Sequence, residues 1–166
     1  MKDISKILII GDSGRGKTTL ANNLSKKLGI KAHSTDDILW KIKFSEVNTK
    51  EYVSEKAKKI FDLQKWIVEG GGSRIVEYGM EKADLIINLE FSNILSQYKS
   101  IIKRNRTRDH ETLWQMIKHL KYITFKRFNI GTKKALERKR LLQKYRGKIV
   151  DLRTYEEIND YISKIN

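Results

Sequence analysis

At 166 residues the chain fits one domain with a true hydrophobic core, and its lack of cysteine excludes a disulfide framework or a thiolate metal site. No run approaches the about 18 apolar residues of a membrane span, and the apolar stretch Ile7 to Ile10 is too short for a signal-peptide core, so a cytoplasmic protein with no membrane partner is expected. The formal charge of +15 gathers late: residues 97–148 hold 17 Lys or Arg against Asp109, Glu111 and Glu137, a net +14.

The run Ile7-Leu8-Ile9-Ile10 is short, continuous and rich in β-branched residues, which predicts a central parallel strand covered on both faces. It leads into Gly11-Asp12-Ser13-Gly14-Arg15-Gly16-Lys17-Thr18-Thr19, the phosphate-loop pattern G-x-x-x-x-G-K-T. Glycines let the backbone curl so that successive N–H groups face one anion, and a helix beginning near Gly16 adds the positive end of its dipole. Lys17 then reaches the β- and γ-phosphates of a nucleoside triphosphate, and the Thr18 hydroxyl takes a position on Mg²⁺. Leu20, Leu24 and Leu28 recur at a spacing of four, and Gly29 stands where this helix stops.

A second strand is expected over Ile30 to Ser34, with Thr35-Asp36-Asp37 at its end. Carboxylates there lie at the edge where open α/β sheets bind ligands, which makes Asp36 a site candidate, whereas Asp37 reads as an N-cap. Val53, Ala57, Ile60 and Phe61 mark an amphipathic helix from Thr49 to about Gln64. Trp66-Ile67-Val68-Glu69 then reads as a buried strand ending in an acid, the Walker B arrangement in which a carboxylate holds Mg²⁺. Gly70-Gly71-Gly72-Ser73-Arg74 follows, flexible backbone beside a substrate, with Arg74 either a clamp on an anionic group or a surface arginine.

A fourth strand over Ala83 to Glu90 precedes a helix capped by Ser92, with Leu95, Tyr98 and Ile102 on its apolar side. That helix enters the run Lys103 to Arg108, where Arg104 and Arg108 share one face and can neutralise charge on a transferring phosphoryl group. Two further basic helices, the second over 132–145 with Leu136, Leu141 and Leu142, divide near Asn129-Ile130-Gly131. Their charge is either a set of solvated faces or a surface for nucleotide phosphates or nucleic acid. Trp114 and Tyr122 are expected in the core rather than as base-stacking platforms. A fifth strand over Lys148 to Leu152 and a capping-box helix from Thr154 close the chain. The sequence therefore predicts a single α/β domain over 1–166, with a basic helical segment at about 103–146.

The order phosphate loop, His33-Ser34-Thr35-Asp36 with Trp40, then Trp66-Ile67-Val68-Glu69-Gly70 with Ser73-Arg74, resembles the small adenylate-kinase-related P-loop proteins labelled DNA topology modulation proteins. The resemblance covers most of the chain. It implies a three-layer P-loop fold with a five-stranded parallel sheet in the order 2-3-1-4-5, a mobile lid between the last two strands, formed by the basic helical segment at about 103–146, and phosphoryl transfer from ATP. It also implies that Gly11 to Thr19 hold ATP, that Asp36 and Arg74 face the acceptor, and that Arg104 and Arg108 are lid arginines near the phosphates. Where that family shows Asp-Gly-Asn-Tyr this chain has Glu69-Gly70-Gly71-Gly72, and it lacks the Asp-Gly-Phe-Pro-Arg run of adenylate kinases, which leaves the acceptor open.

The expected activity is thus Mg-ATP-dependent phosphoryl transfer to a nucleotide or small hydroxylated metabolite. The alternative is a nucleic-acid-associated ATPase or nucleotide-binding regulator that uses the basic 97–148 segment. A GTPase switch is excluded, since neither Asn-Lys-x-Asp nor Asp-x-x-Gly occurs.

Overall fold

The computed structural model describes residues 4–42, 46–71, 74–90 and 133–165, together with Tyr98, Ile102, Trp114, Ile117, Leu120, Lys121 and Thr124. Five strands form one parallel sheet: β1 (Lys6–Gly11), β2 (Ala32–Ser34), β5 (Trp66–Gly70), β6 (Leu85–Leu89) and β7 (Ile149–Leu152). Their order is β2-β5-β1-β6-β7, which is the expected 2-3-1-4-5 once the small hairpin of β3 (Trp40–Ile42) and β4 (Glu46–Val47) is set aside. The described helices are α1 (Lys17–Leu28), α2 (Thr35–Leu39), α3 (Lys50–Phe61), α4 (Arg74–Lys82), α5 (Lys133–Lys144) and α6 (Tyr155–Lys164).

The alternation of side chains along β1 builds the three layers. Ile7 and Ile9 join Leu20, Leu24, Ile67, Ile87 and Ile158 on the face covered by α1 and α6. Leu8 and Ile10 point the other way, to Ile38, Ala57, Phe61, Trp66, Ile75 and Met80 under α2, α3 and α4. All four β1 residues are buried, so a continuous apolar run was needed rather than an alternating one. Register is pinned at the strand starts: the Asp84 carboxylate accepts from the backbone N–H groups of Ser5 (3.2 Å) and Lys6 (3.0 Å), which ties the entry of β6 to that of β1. Lys27 Nζ donates to the Ile162 and Ser163 carbonyls at the end of α6, satisfying groups that the helix itself leaves open.

Several expectations shift. The second strand starts at Ala32, not Ile30, because this edge strand pairs only through Ala32 to Ser34, while Ile30 turns into the core. The N-cap of α2 is Ser34, whose hydroxyl accepts from Asp36 N–H at 3.3 Å, and Asp37 falls inside the first turn. Trp40 begins the hairpin, which carried no sequence signal because its strands are two and three residues long. The last strand starts after a 3₁₀ turn at Arg146–Lys148. Trp114 is 70% exposed, against the burial expected of it, while Ile117, Leu120 and Thr124, the last bonded to the Tyr98 hydroxyl, are half-buried. Arg104, Arg108 and Tyr122 lie outside the described residues.

Gly70, at the carboxyl end of β5, is fixed by close packing. A Cβ there would lie 1.9 Å from Thr35 Oγ1 and 2.6 Å from its Cγ2, and Thr35 is wholly buried at the start of α2. Gly70→Ala should lower the unfolding free energy by about 1–3 kcal/mol. Thr35→Ala, which removes both of those atoms, should restore part of the loss in a urea titration of the double variant.

Candidate active site

The phosphate loop joins the carboxyl end of β1 to α1, in the crevice where open α/β sheets bind ligands. Gly14 (φ 78°) and Gly16 (φ 81°) adopt the left-handed conformation, which L side chains rarely enter. Gly16 is also the N-cap of α1 and makes no side-chain cap, so the amino end of that helix faces the loop, the geometry that suits an incoming anion. Lys17 curls back over the loop, its Nζ donating to the Asp12 carbonyl at 3.0 Å. Arg15 is buried, with its guanidinium 3.6 Å from the Asp12 carboxylate. The loop thus brings Lys17, Arg15 and the start of α1 together at the carboxyl end of β1.

Beside it, in register with Ile9, stands Glu69. Its Oε1 accepts from Thr18 Oγ1 at 3.0 Å and from Ser34 Oγ at 2.9 Å, and the residue is only 6% exposed. Three elements converge here: α1 supplies Thr18, β5 supplies Glu69, and β2 supplies Ser34. Ser34 serves twice, because the oxygen that donates to Glu69 also caps α2. The hydroxyl of Thr18 and the carboxylate of Glu69 are hard oxygen donors at hydrogen-bonding distance, the donor set that suits Mg²⁺ when phosphate oxygens and water complete the shell. No group of three or more His, Cys, Asp or Glu side chains that could hold a metal ion occurs among the described residues.

Asp36, the second residue of α2, is exposed on the same sheet edge. Arg74 opens α4 after the glycine turn, and its side chain lies outside the described residues. Thr19, in the first turn of α1, is exposed. His33, on β2 next to Ser34, has a buried Nε2 with no hydrogen-bond partner. Burial, aided by the charge of Lys31, pushes its pKa below the ordinary 6.5. The unfolded chain therefore takes up more protons between the lowered folded value and 6.5, so stability should fall as pH drops below about 6.5. Thermal melts between pH 7.5 and 5.5 should show this, and His33→Leu should flatten that part of the profile.

The site also contains an arginine that the motif reading did not single out. Arg138, on α5, places Nη1 3.6 Å from Asp12 Oδ1 and Nη2 3.3 Å from Asn88 Oδ1. Asn88, on β6, is 1% exposed and donates from Nδ2 to Asp151 Oδ1 at 2.8 Å. Asp151 in turn takes a 2.5 Å bond from Arg146. Burial raises the Asp151 pKa, but the hydrogen bonds from Arg146 and Asn88 outweigh it and hold the carboxyl below its usual range. A readable signal for Arg138 did exist: Arg138, Leu141, Leu142 and Tyr145 form one helical stripe, and the last three pack on the core. Lys139 and Arg140 lie off that stripe and are exposed.

No family model and no curated relative matches the sequence. Solved structures do match the fold. A shikimate kinase from Acinetobacter baumannii in complex with shikimate superposes with a TM-score of 0.57 at 13% identity, over 98% of this chain and 91% of that one. A shikimate kinase from Bacteroides thetaiotaomicron gives 0.54 at 13% identity, over 97% and 96%, and a gluconokinase from Sinorhizobium meliloti gives 0.55 at 10%, over 98% and 90%. The chain therefore has the three-layer α/β fold of these P-loop kinases over nearly its whole length.

Proposed function

We propose that the protein is a Mg²⁺- and ATP-dependent phosphotransferase acting on a small acceptor. The observation that carries this reading is the Glu69 carboxylate, buried between the Thr18 and Ser34 hydroxyls beside the phosphate loop. A buried acid that accepts from the loop's own hydroxyl fits a cation-binding role better than a structural one, because a core position at the end of an apolar strand is otherwise filled more cheaply by Val or Ile.

In this mechanism the N–H groups of Gly14 to Thr18 and the ammonium of Lys17 hold the β- and γ-phosphates, Lys17 giving up the Asp12 carbonyl for the anion. Thr18 and Glu69 would hold Mg²⁺, which would supply charge neutralisation to the phosphates. Asp36 orients or deprotonates the acceptor hydroxyl from the opposite side of the crevice, and Arg74 binds an anionic group of the acceptor. Arg104 and Arg108 close over the phosphates from the lid segment, alongside Arg138. Catalysis is then mainly positioning and charge neutralisation. The motif order supports membership of the adenylate-kinase-related group labelled DNA topology modulation proteins, and we take the chain as one domain over 1–166 acting in the cytoplasm. No described helix is long and apolar enough to cross a membrane.

The test is ATP consumption with Mg²⁺ against nucleoside monophosphates, nucleosides, polyhydroxylated acids and short nucleic acids, following ADP and the phosphorylated product. The names of the structural neighbours, shikimate kinase and gluconokinase, put the hydroxylated acids first in that panel. One phosphorylated small molecule is the expected result. ADP release stimulated only by nucleic acid would overturn the reading. With the acceptor in hand, Asp36→Asn should slow its phosphorylation by about 10²-fold while ATP affinity stays unchanged, and equal losses in both would remove Asp36 from the acceptor side.

A further inference from the structure

β6 is a buried strand whose row reads Leu85, Ile86, Ile87, Asn88, Leu89, so one polar side chain interrupts an otherwise apolar element. Asn88 pairs in register with Ile10 on one side and Asp151 on the other, one residue before the strand reaches the level of Gly11. Alternation puts it on the face of Ile86, where Leu141, Leu142 and Tyr145 of α5 also pack. It is thus the point at which the helix carrying Arg138 meets the sheet next to the phosphate loop.

The chemistry of its two neighbours fixes how the amide stands. A carboxylate only accepts and a guanidinium only donates. Asp151 therefore draws the Nδ2 donor, and the Oδ1 acceptor is left facing Arg138. Arg146 holds Asp151 from the far side, so the amide cannot turn over without breaking a charge-assisted contact. The Arg138 guanidinium is fixed at two points, Asn88 and the Asp12 carboxylate, and both lie at the entrance of the loop.

We propose that Asn88 is a positioning residue: locked by Asp151, it aims the Arg138 guanidinium at the terminal phosphoryl group of a nucleotide held in the Gly11 to Thr18 loop. The inference rests on the phosphotransferase reading for the identity of that anion. Asn88 itself touches no phosphate. Removing it would take away the shorter of these two contacts and leave the 3.6 Å approach to Asp12, so the guanidinium would sample positions away from the phosphoryl group.

The test compares binding of MgADP with binding of MgADP plus aluminium fluoride, a mimic of the transferring phosphoryl group, by titration calorimetry on the full chain. Asn88→Leu should weaken the fluoride complex about tenfold, as Arg138→Ala does, while MgADP affinity stays within about twofold. The Asn88→Leu/Arg138→Ala double variant should be no weaker than Arg138→Ala alone. Asp151→Asn, a partly exposed change that frees the amide to turn, should give an intermediate loss and carries the test if Asn88→Leu does not fold. Full affinity for the fluoride complex in Asn88→Leu or Asp151→Asn, equal losses for both ligands, or losses that multiply in the double variant would each overturn the proposal. The kinase reading fails separately: a wild-type chain that binds the fluoride complex but phosphorylates no acceptor removes that reading while the binding cycle still decides the role of Asn88. A wild-type chain that binds neither ligand overturns both.

Discussion

Lys17→Ala should lower phosphoryl transfer by about 10²–10³-fold, the usual cost of deleting one preorganised donor to developing charge, without loss of the fold. The two effects separate because of where the lysine sits. Its ammonium reaches back over its own loop to the Asp12 carbonyl, and Lys17 is not among the side chains of either core cluster. Alanine is also the best helix former for the first turn of α1. The melting temperature should therefore stay within a few degrees of the wild type, and ATP affinity and turnover should both fall. Undiminished turnover in a folded Lys17→Ala would take the loop out of the mechanism.

Glu69 gives the second large effect, and here two substitutions should diverge. Glu69→Gln keeps an oxygen for the Thr18 and Ser34 hydroxyls, so the convergence of α1, β5 and β2 survives. It removes the charge that a cation would need. Turnover should then require about 10–100-fold more Mg²⁺, a shift read directly from a metal titration. Glu69→Ala leaves two hydroxyls facing a void at a position only 6% exposed, and should cost about 1–3 kcal/mol of stability besides. If Glu69→Gln left the Mg²⁺ dependence unmoved, the buried acid would be a structural clasp rather than a metal ligand.

The sheet could be read from the sequence most clearly at β1, β5 and β6, which are short, mostly apolar buried runs. Glycine ended β1, an acid or a glycine followed β2 and β5, and the periods of the flanking helices changed to three and four where the runs stopped. The phosphate loop was legible for the same reason: every atom that it offers belongs to contiguous residues. Glu69 could be found because it ends a strand. Ser34 was not joined to it, because the expected strand order sets β2 beside β5 but does not say which side chains, 35 residues apart, meet across the pair. Arg138 was hidden inside a run of like charges, Arg138-Lys139-Arg140, where composition gives no preference and only the inward stripe of α5 selects one. The hairpin of β3 and β4 left no trace, since strands of two and three residues are too short to show a period. Asn88 was visible as a polar letter in an apolar strand, but its meaning came only with Asp151 and Arg138 on either side.

The placement of β1 at the centre of the sheet also bears on how the chain reaches its native state. Ile7 pairs with Ile67 on one side and Leu85 on the other, so the strand that carries the loop emerges from the ribosome about 60 residues before its first partner. At about 5–20 residues per second this is a delay of roughly 3–12 seconds, during which four consecutive large aliphatic side chains have no sheet to join. Pairings this distant in sequence are also slow to form once the chain is complete. The strand that leads into the phosphate loop thus waits exposed until β5 and then β6 are made, and β6 in turn gains its second neighbour only when β7 at the end of the chain is complete.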